Sequence, residues 1–472
     1  MPENSWIEND SDSELDPISS LLLDLEEEEF ENDFFFQGLE GRRWKAALAL
    51  TGIWSGTIAL HLVSWGSGLI LALTALLGIQ ALRIILARPL KTPEPLEDET
   101  QGDFPWVSLL VAAKNEESVI SNLVRMLCNL DYPKNRYEVW VIDDHSTDQT
   151  PTLLNQLATE YDQLKVLHRS ADAGGGKSGA LNQVLPLTKG EIVGVFDADA
   201  KVTKDLLQRT LPLFNQPAVG AVQVRKAIAN ASENFWTRGQ MAEMAFDTYI
   251  QQQRIAVGGI GELRGNGQFV RRLALERCGG WNEQTITDDL DLTIRLHLDQ
   301  WDIHFLDFPP VEEEGVTNAL ALWHQRNRWG EGGYQRYLDY WRLIVSNRMG
   351  TLKTLDLFSF AIIQYLLPAA AIPDCLMAIA RHRFPILSPL TILGFSLALS
   401  GMFIGLLRTQ RHKQLTISGL FVTLLQTIRG NIYLLHWMLV IAGITARISV
   451  RPKRLKWVKT VHQGNSEESF EF

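Results

Sequence analysis

The sequence predicts an α/β domain set between groups of membrane-spanning helices. Three features predict this. Two apolar runs of about 20 residues lie near the start, short β-rich runs alternate with helical stretches from 105 to 350, and apolar runs return after Gly350. At 472 residues, 46% of them hydrophobic, the chain has room for one large globular domain and an embedded part.

Residues 1–40 carry 14 acidic and no basic side chains, so the formal charge of -11 leaves about +3 for the remainder. The run Glu26–Glu29, with Glu31 and Asp33, holds too much like charge to fold alone and reads as a solvated arm. A secretory signal would place an apolar run near the start behind a basic patch, so no cleavable targeting peptide is expected. Cys128, Cys278 and Cys375 form neither a CxxC pair nor a zinc pattern, which implies no disulfide framework and no structural zinc. No nucleic-acid partner is expected, and the oligomeric state is left open.

Trp44–Trp65 and Ser67–Leu86 read as a transmembrane hairpin over 41–90, turning at Ser64–Gly68. Gly41-Arg42-Arg43 precedes it and Arg83, Arg88 and Lys91 close it, so the positive-inside rule places the following domain in the cytoplasm. A Pro- and acid-rich linker, 91–104, leads into the 105–350 domain. Strands are predicted at Val107–Ala112, Glu138–Asp143, Leu164–His168, Ile192–Asp197 and Val219–Val224. Helices are predicted near Glu117–Asn129, Thr152–Tyr161, Ser178–Leu187 and Lys204–Phe214. The 351–450 region holds apolar runs at Leu357–Ala380, Ile386–Leu407 and Leu415–Ala446, the last interrupted by Arg429-Gly430-Asn431. Two or three spans with re-entrant pieces are expected, followed by a basic and polar tail, 451–472. The expectation is a multi-pass protein of the plasma membrane or of an internal, thylakoid-type membrane.

Carboxylates gather at the C-terminal ends of the predicted strands, where open parallel sheets bind ligands. Asp143-Asp144 closes one strand and Asp197-Ala198-Asp199 another. A DxD pair can place carboxylates about hydrated Mg²⁺ or Mn²⁺ and so neutralise a departing diphosphate. By itself such a pair is more often a turn or a helix cap; two acidic strand ends facing one crevice favour the site. Gly174-Gly175-Gly176-Lys177-Ser178 suggests a phosphate loop, but Ala171 stands where a Walker sequence needs glycine. What remains is a glycine turn presenting Lys177 near a helix start, suited to an anionic diphosphate. Thr287-Asp288-Asp289 precedes a helical pattern and offers either a general base or an ordinary cap. Gln325-Arg326-Asn327-Arg328-Trp329 offers arginines and an indole for a diphosphate and an acceptor. The segments Trp323–Trp341 and Phe235–Arg254 also read as interfacial helices.

Taken in order, Asn115-Glu116, Asp143-Asp144, Asp197-x-Asp199, Thr287-Asp288-Asp289 and Gln325-x-x-Arg328-Trp329 resemble the GT-A family 2 glycosyltransferases, which include cellulose, chitin and hyaluronan synthases. The resemblance covers about 105–330. It implies a Rossmann-like nucleotide-diphospho-sugar transferase domain. It further implies that Glu116 and Asp143 or Asp144 hold the uracil and ribose, Asp197 and Asp199 the metal, and that Asp289 is the base. By the resemblance Asp197 belongs to the donor site as well, and Gln325, Arg328 and Trp329 would line the donor and acceptor pocket; Lys177 joins the donor site from the glycine turn alone. Two departures stand out: the family's Thr-Glu-Asp is Thr-Asp-Asp, and the proline often found before the first Asn-Glu is missing.

The acidic tail, the lead-in Phe34-Phe35-Phe36-Gln37-Gly38 and Gly41-Arg42-Arg43-Trp44-Lys45, and the hairpin are similar to the glycolipid-forming branch. That branch implies transfer of glucose from UDP-glucose to the 3-hydroxyl of 1,2-diacylglycerol with inversion. The alternatives are a processive polysaccharide synthase, a ceramide glucosyltransferase-like enzyme, and a nucleotide-sugar-binding scaffold without turnover.

Overall fold

The strands Val107–Ala113, Tyr137–Asp143 and Ile192–Phe196 are buried at nearly every position, which covers both faces of the sheet at its centre. A computed structural model describes residues 41–96, 104–409 and 416–450. The acidic tail, residues 97–103 of the linker, residues 410–415 and the 451–472 tail lie outside the described residues. Seven strands form one sheet in the order β3-β2-β1-β4-β6-β5-β7: β1 Val107–Ala113, β2 Tyr137–Asp143, β3 Leu164–His168, β4 Ile192–Phe196, β5 Val219–Ile228, β6 Gln268–Arg271 and β7 Asp302–Glu313. β1 runs parallel to β2 and β4, and β2 to β3, with Ala113 opposite Asp143 and Asp143 opposite His168. The C-terminal ends of β1, β2 and β4 therefore meet on one edge.

The sequence reading expects a parallel sheet, whereas the observed sheet is mixed, because β6 runs antiparallel to both β4 and β5. β6 is only four residues long and β7 is interrupted by Pro309-Pro310, so neither carries a clear strand pattern. The predicted 204–214 helix splits into Leu206–Thr210 and a 3₁₀ turn, Leu211–Asn215, at Pro212. Proline inside a helix removes a hydrogen bond and clashes with the preceding turn.

Alternate strand residues feed two cores. Leu109, Val111, Val139, Val141 and Phe196 pack on one face, and Leu110, Ile142, Val193 and Val195 on the other. Each such fully buried side chain contributes about 1.5–3 kcal/mol.

Two long helices join the sheet to the apolar helices. Phe235–Ala256 starts at a reciprocal cap: the Asn234 side chain accepts the N–H groups of Trp236 and Thr237, and Thr237 Oγ1 accepts from Asn234 N–H. The helix packs against β5 and β7 and against helices Gly66–Leu86, Ser388–Thr409 and Ile417–Leu434. Its approach to Ser388–Thr409 requires Gly405, since a Cβ there would sit 2.3 Å from the Ala245 carbonyl oxygen. The second helix, Ala319–Val345, is capped by Asn318 and packs on Asp288–Leu298 and His436–Val450.

Four helical stretches among the described residues are long and apolar enough to cross a membrane: Gly66–Leu86, Thr351–Ala380, Ser388–Thr409 and Ile417–Val450. The first helix of the hairpin, Arg42–Leu62, has the length but not the apolarity, with Arg42, Arg43 and Lys45 at its start and His61 near its end. Its His61 Nε2 lies 2.7 Å from Asp374 Oδ1 in helix Leu367–Ala380. The last stretch breaks at Leu435, not at Arg429-Gly430-Asn431, which lie inside helix Ile417–Leu434. There the Asn431 side chain donates to Thr427 O and Gly430 faces Met402, so these residues continue the helix instead of ending it. All three cysteines are free thiols.

Candidate active site

The loops after β1 and β2 are clipped together by local hydrogen bonds. Asn115 and His145 each adopt φ 55, a left-handed conformation that asparagine and histidine enter more readily than most residues. Asn115 N–H donates to Ser146 Oγ, Thr147 N–H to Asn115 Oδ1, and Glu116 N–H to Thr150 Oγ1. This brings Glu116 and Asp144 to the wall of a cavity of about 1980 Å³. That volume is about twice the upper range for a single small-ligand pocket, enough for two substrates.

Asp143 does not reach that wall. It is 3% exposed and its two oxygens accept from His168 Nδ1 and Ser146 N–H, so it ties β3 and the loop to β2. Its neighbour Asp144 accepts from the buried Arg169 guanidinium, which also donates to the carbonyl oxygens of Gly174 and Gly176 and to Gln183 Oε1. Arg169 thus fastens the glycine turn to the β2 edge. Arg169 belongs to no motif in the sequence; its one signal is its place directly after a strand, where the other site residues stand.

Gly175 and Gly176, with φ 79 and 53, let the chain turn into helix Gly176–Val184. Lys177 in its first turn reaches Asp197 Oδ1 at 2.6 Å. Enclosure alone would lower the Lys177 pKa, but Asp197, Asp288 and Asp289 outweigh it and hold the ammonium above its ordinary value. Enclosure would likewise raise Asp197, yet Lys177, Lys226 and Arg328 bring it below the usual carboxylate range. Asp199, two residues on, lines the cavity and accepts Glu314 N–H at 3.1 Å. Among the described residues no group of three or more His, Cys, Asp or Glu side chains is placed to hold a metal. A pair of carboxylates is the donor set that suits a hard cation completed by phosphate oxygens and water.

Asp289 stands in the first turn of helix Asp288–Leu298. Thr293 Oγ1 donates to the Asp289 carbonyl and accepts Leu263 N–H, which fixes this turn against the irregular segment that leads into the Gly265 loop. Gly265 has φ 81, and a Cβ there would lie 3.4 Å from Asp289 Oδ2. Burial first, and the like charge of Asp288 second, push the Asp289 carboxyl up to about 6. Asp288 Oδ2 and Thr287 Oγ1 are buried without a protein partner.

Helix Ala319–Val345 closes the cavity with Gln325, Arg328 and Trp329. Gln325 Oε1 is buried without a protein partner. Burial lowers the Arg328 pKa against the pull of Asp197, Asp289 and Asp288, so the guanidinium sits among these acids. The Arg326 guanidinium lies 4.1 Å from the Trp329 ring centroid and pairs with Glu243 at 2.7 Å. Gly332 meets Thr287, where a Cβ would lie 2.1 Å from Thr287 Oγ1; the helix and the acidic turn therefore touch without an intervening side chain. The structure brings Glu116, Asp144, Lys177, Asp197, Asp199, Asp289, Gln325, Arg328 and Trp329 into one wall. Of the residues picked out in the sequence, Asp143 alone stands behind it.

Residues 105–332 match the family Glycosyltransferase like family 2. Over 472 residues the chain is 63% identical to the beta-monoglucosyldiacylglycerol synthase of Nostoc sp., covering 99% of this chain and 100% of that protein. It is 58% identical over 478 residues to the protein of the same name from Synechocystis sp., covering 100% of this chain and 99% of that one. Among solved structures it resembles a mannosyltransferase of Pyrobaculum calidifontis in complex with GDP-Man and Mn²⁺, with 21% identity, 82% of this chain and 98% of that chain covered, and a TM-score of 0.49.

Proposed function

This chain belongs to glycosyltransferase family 2, the family of the beta-monoglucosyldiacylglycerol synthases it resembles along its length, and from that premise we propose that it transfers glucose from UDP-glucose to the 3-hydroxyl of 1,2-diacylglycerol with inversion. The observation that carries this reading is one cavity, with Asp289 and the strand-end acids in its polar wall and the apolar helices in the remainder.

Asp289 removes the proton of the acceptor hydroxyl. The hydroxyl oxygen forms a bond to the anomeric carbon as the bond from that carbon to the UDP oxygen breaks, and the diphosphate leaves with the electron pair. A base held near pH 6 by burial is deprotonated at neutral pH, and general base catalysis contributes about 10²–10⁴-fold. Glu116 and Asp144 face the uridine, while Lys177 and Arg328 supply fixed positive charge beside Asp197. Asp197 and Asp199 would hold Mg²⁺ or Mn²⁺, which supplies charge neutralisation for the departing diphosphate. Gln325 and Trp329 border donor and acceptor. Basic flanks at Arg42, Arg43, Arg83 and Arg88 favour a cytoplasmic face for the domain, and a hydrophobic acceptor is met at the bilayer.

The test is incubation of purified protein with Mg²⁺, diacylglycerol and labelled UDP-glucose or UDP-galactose, followed by analysis of the lipid extract. A single-hexose diacylglycerol from UDP-glucose is expected. An insoluble polymer, or transfer to ceramide alone, would overturn the proposal in favour of one of the alternative synthases.

A further inference from the structure

The cavity does not end at the catalytic wall. It continues between helix Gly66–Leu86, through Leu77 and Ala81, the π-helical turn Ile362–Leu366 with the following residue, through Ile363 and Leu367, and helix Ser388–Thr409, through Gly394 and Phe395. All three elements belong to stretches apolar and long enough to cross a membrane. A void with such walls, open to the polar site, suits hydrocarbon.

Two buried polar atoms in the cavity lining have no protein partner. Tyr249 is 1% exposed and its hydroxyl has no protein partner. Gln364 Oε1, on the π-helical turn, is buried without a partner as well. Both residues line the cavity. A buried hydroxyl left without a partner is costly, and the carbonyl of an acyl ester would satisfy it. π-helical turns interrupt helices frequently at functional sites.

Charge on the same wall selects the headgroup. Arg254 pairs with Asp356 at 2.9 Å, Arg264 with Asp247 at 2.7 Å, and Arg336 with Glu262 at 3.1 Å. Three guanidinium groups face three carboxylates, and all six residues line the cavity. These three arginines are already matched by acids of the protein, whereas Lys177 and Arg328, which the proposed reaction assigns to the diphosphate, stand at the catalytic wall.

From these three features, and resting on the reaction proposed above, we infer that the space between helices Gly66–Leu86 and Ser388–Thr409 and the π-helical turn is the acyl-chain slot of an uncharged diacylated lipid. The lipid enters with its chains between the helices, its ester carbonyl accepts from the Tyr249 hydroxyl, and its free hydroxyl points to Asp289. Its headgroup carries no phosphate.

The decisive experiment uses the full-length wild-type protein in phosphatidylcholine vesicles with a diacylglycerol carrying a diazirine in one acyl chain. Irradiation and peptide mapping should place the label within 66–86, 360–368 and 388–398, and an excess of dioleoylglycerol should displace it while dioleoyl phosphatidic acid should not. Label confined to other segments overturns the slot, and equal displacement by phosphatidic acid overturns its neutral selectivity. Gly394→Phe gives an independent measurement, because the nearest atom to a Cβ there is Ile363 Cγ2 at 3.7 Å, so the added ring projects from an uncrowded backbone. KM for dioleoylglycerol should rise about tenfold or more, with KM for UDP-glucose and for dihexanoylglycerol unchanged; an unchanged dioleoylglycerol KM overturns the slot. A wild-type protein that forms no product from any diacylglycerol breaks the proposed reaction instead, and labelling in the slot is still read separately. If Gly394→Phe fails to fold, the wild-type label map decides.

Discussion

Two charged clusters, one balanced and one acidic, line the same cavity and are built differently. In the first, Glu262 is 1% exposed and accepts from both Arg264 and Arg336, with Arg254 at 3.6 Å, while Gln251 pairs with its backbone through both side-chain groups. Burial would raise the Glu262 carboxyl, but the three arginines, Arg336 foremost, hold it far below the usual range. In the second, Asp288 leaves a buried oxygen without a protein partner and Asp289 is raised to about 6. A cluster whose acids are matched within the protein joins the sheet to the apolar helices. A cluster with acids in excess of its matched partners is set to receive a proton, a cation or a substrate.

The largest expected effect comes from the open cluster. Asp289→Asn should lower kcat by about 10²–10⁴-fold while UDP binding, followed by calorimetry, stays within a few-fold; normal turnover would break the contrast. Next, EDTA should abolish transfer and Mg²⁺ or Mn²⁺ should restore it, with little change in melting temperature. Asp197→Asn should raise the Mg²⁺ concentration needed for half-maximal rate, and because the Lys177–Asp197 pair is 29% and 41% exposed its loss should cost at most about 1 kcal/mol. A rate independent of divalent ions would remove the metal from the scheme.

The closed cluster should show the reverse pattern. Glu262→Gln strands buried guanidinium charge and should destabilise the fold by about 3–5 kcal/mol, read as a lowered melting temperature, with kcat per folded molecule retained. If this variant melts normally but loses turnover, the two clusters exchange roles. The smallest effect is on pH dependence. A raised carboxyl binds its proton as pH falls through about 6, so kcat/KM should fall about tenfold per unit below that point. Asp288→Asn removes a neighbouring negative charge and should move the acidic limb to lower pH; a limb that stays in place would assign it to another group.

How much was legible follows from the range of each interaction. The parallel strands β1 to β4 read clearly because burial on both faces makes each an apolar run, and the acids at their ends follow by position. β6 and β7 did not, since a four-residue strand and one broken by two prolines take their pairing from neighbours. Asp143 and Asp144 are adjacent and chemically alike, yet one binds His168 behind the wall and the other faces the cavity. Alternation along the strand end separates them, and only the register shows which points inward.

The amino-acid order by itself determined the α/β domain, the apolar stretches around it and the roster of acids, because these depend on local periodicity and residue chemistry. Tertiary structure alone decided that Lys177 meets Asp197, that Arg169 holds the glycine turn, that Arg42–Leu62 buries His61 against Asp374, and that three arginines find three acids. Apart from the bonds of Arg169 to the glycine turn, these contacts join residues distant along the chain, and the charge state of a buried carboxylate depends on which of them stand beside it.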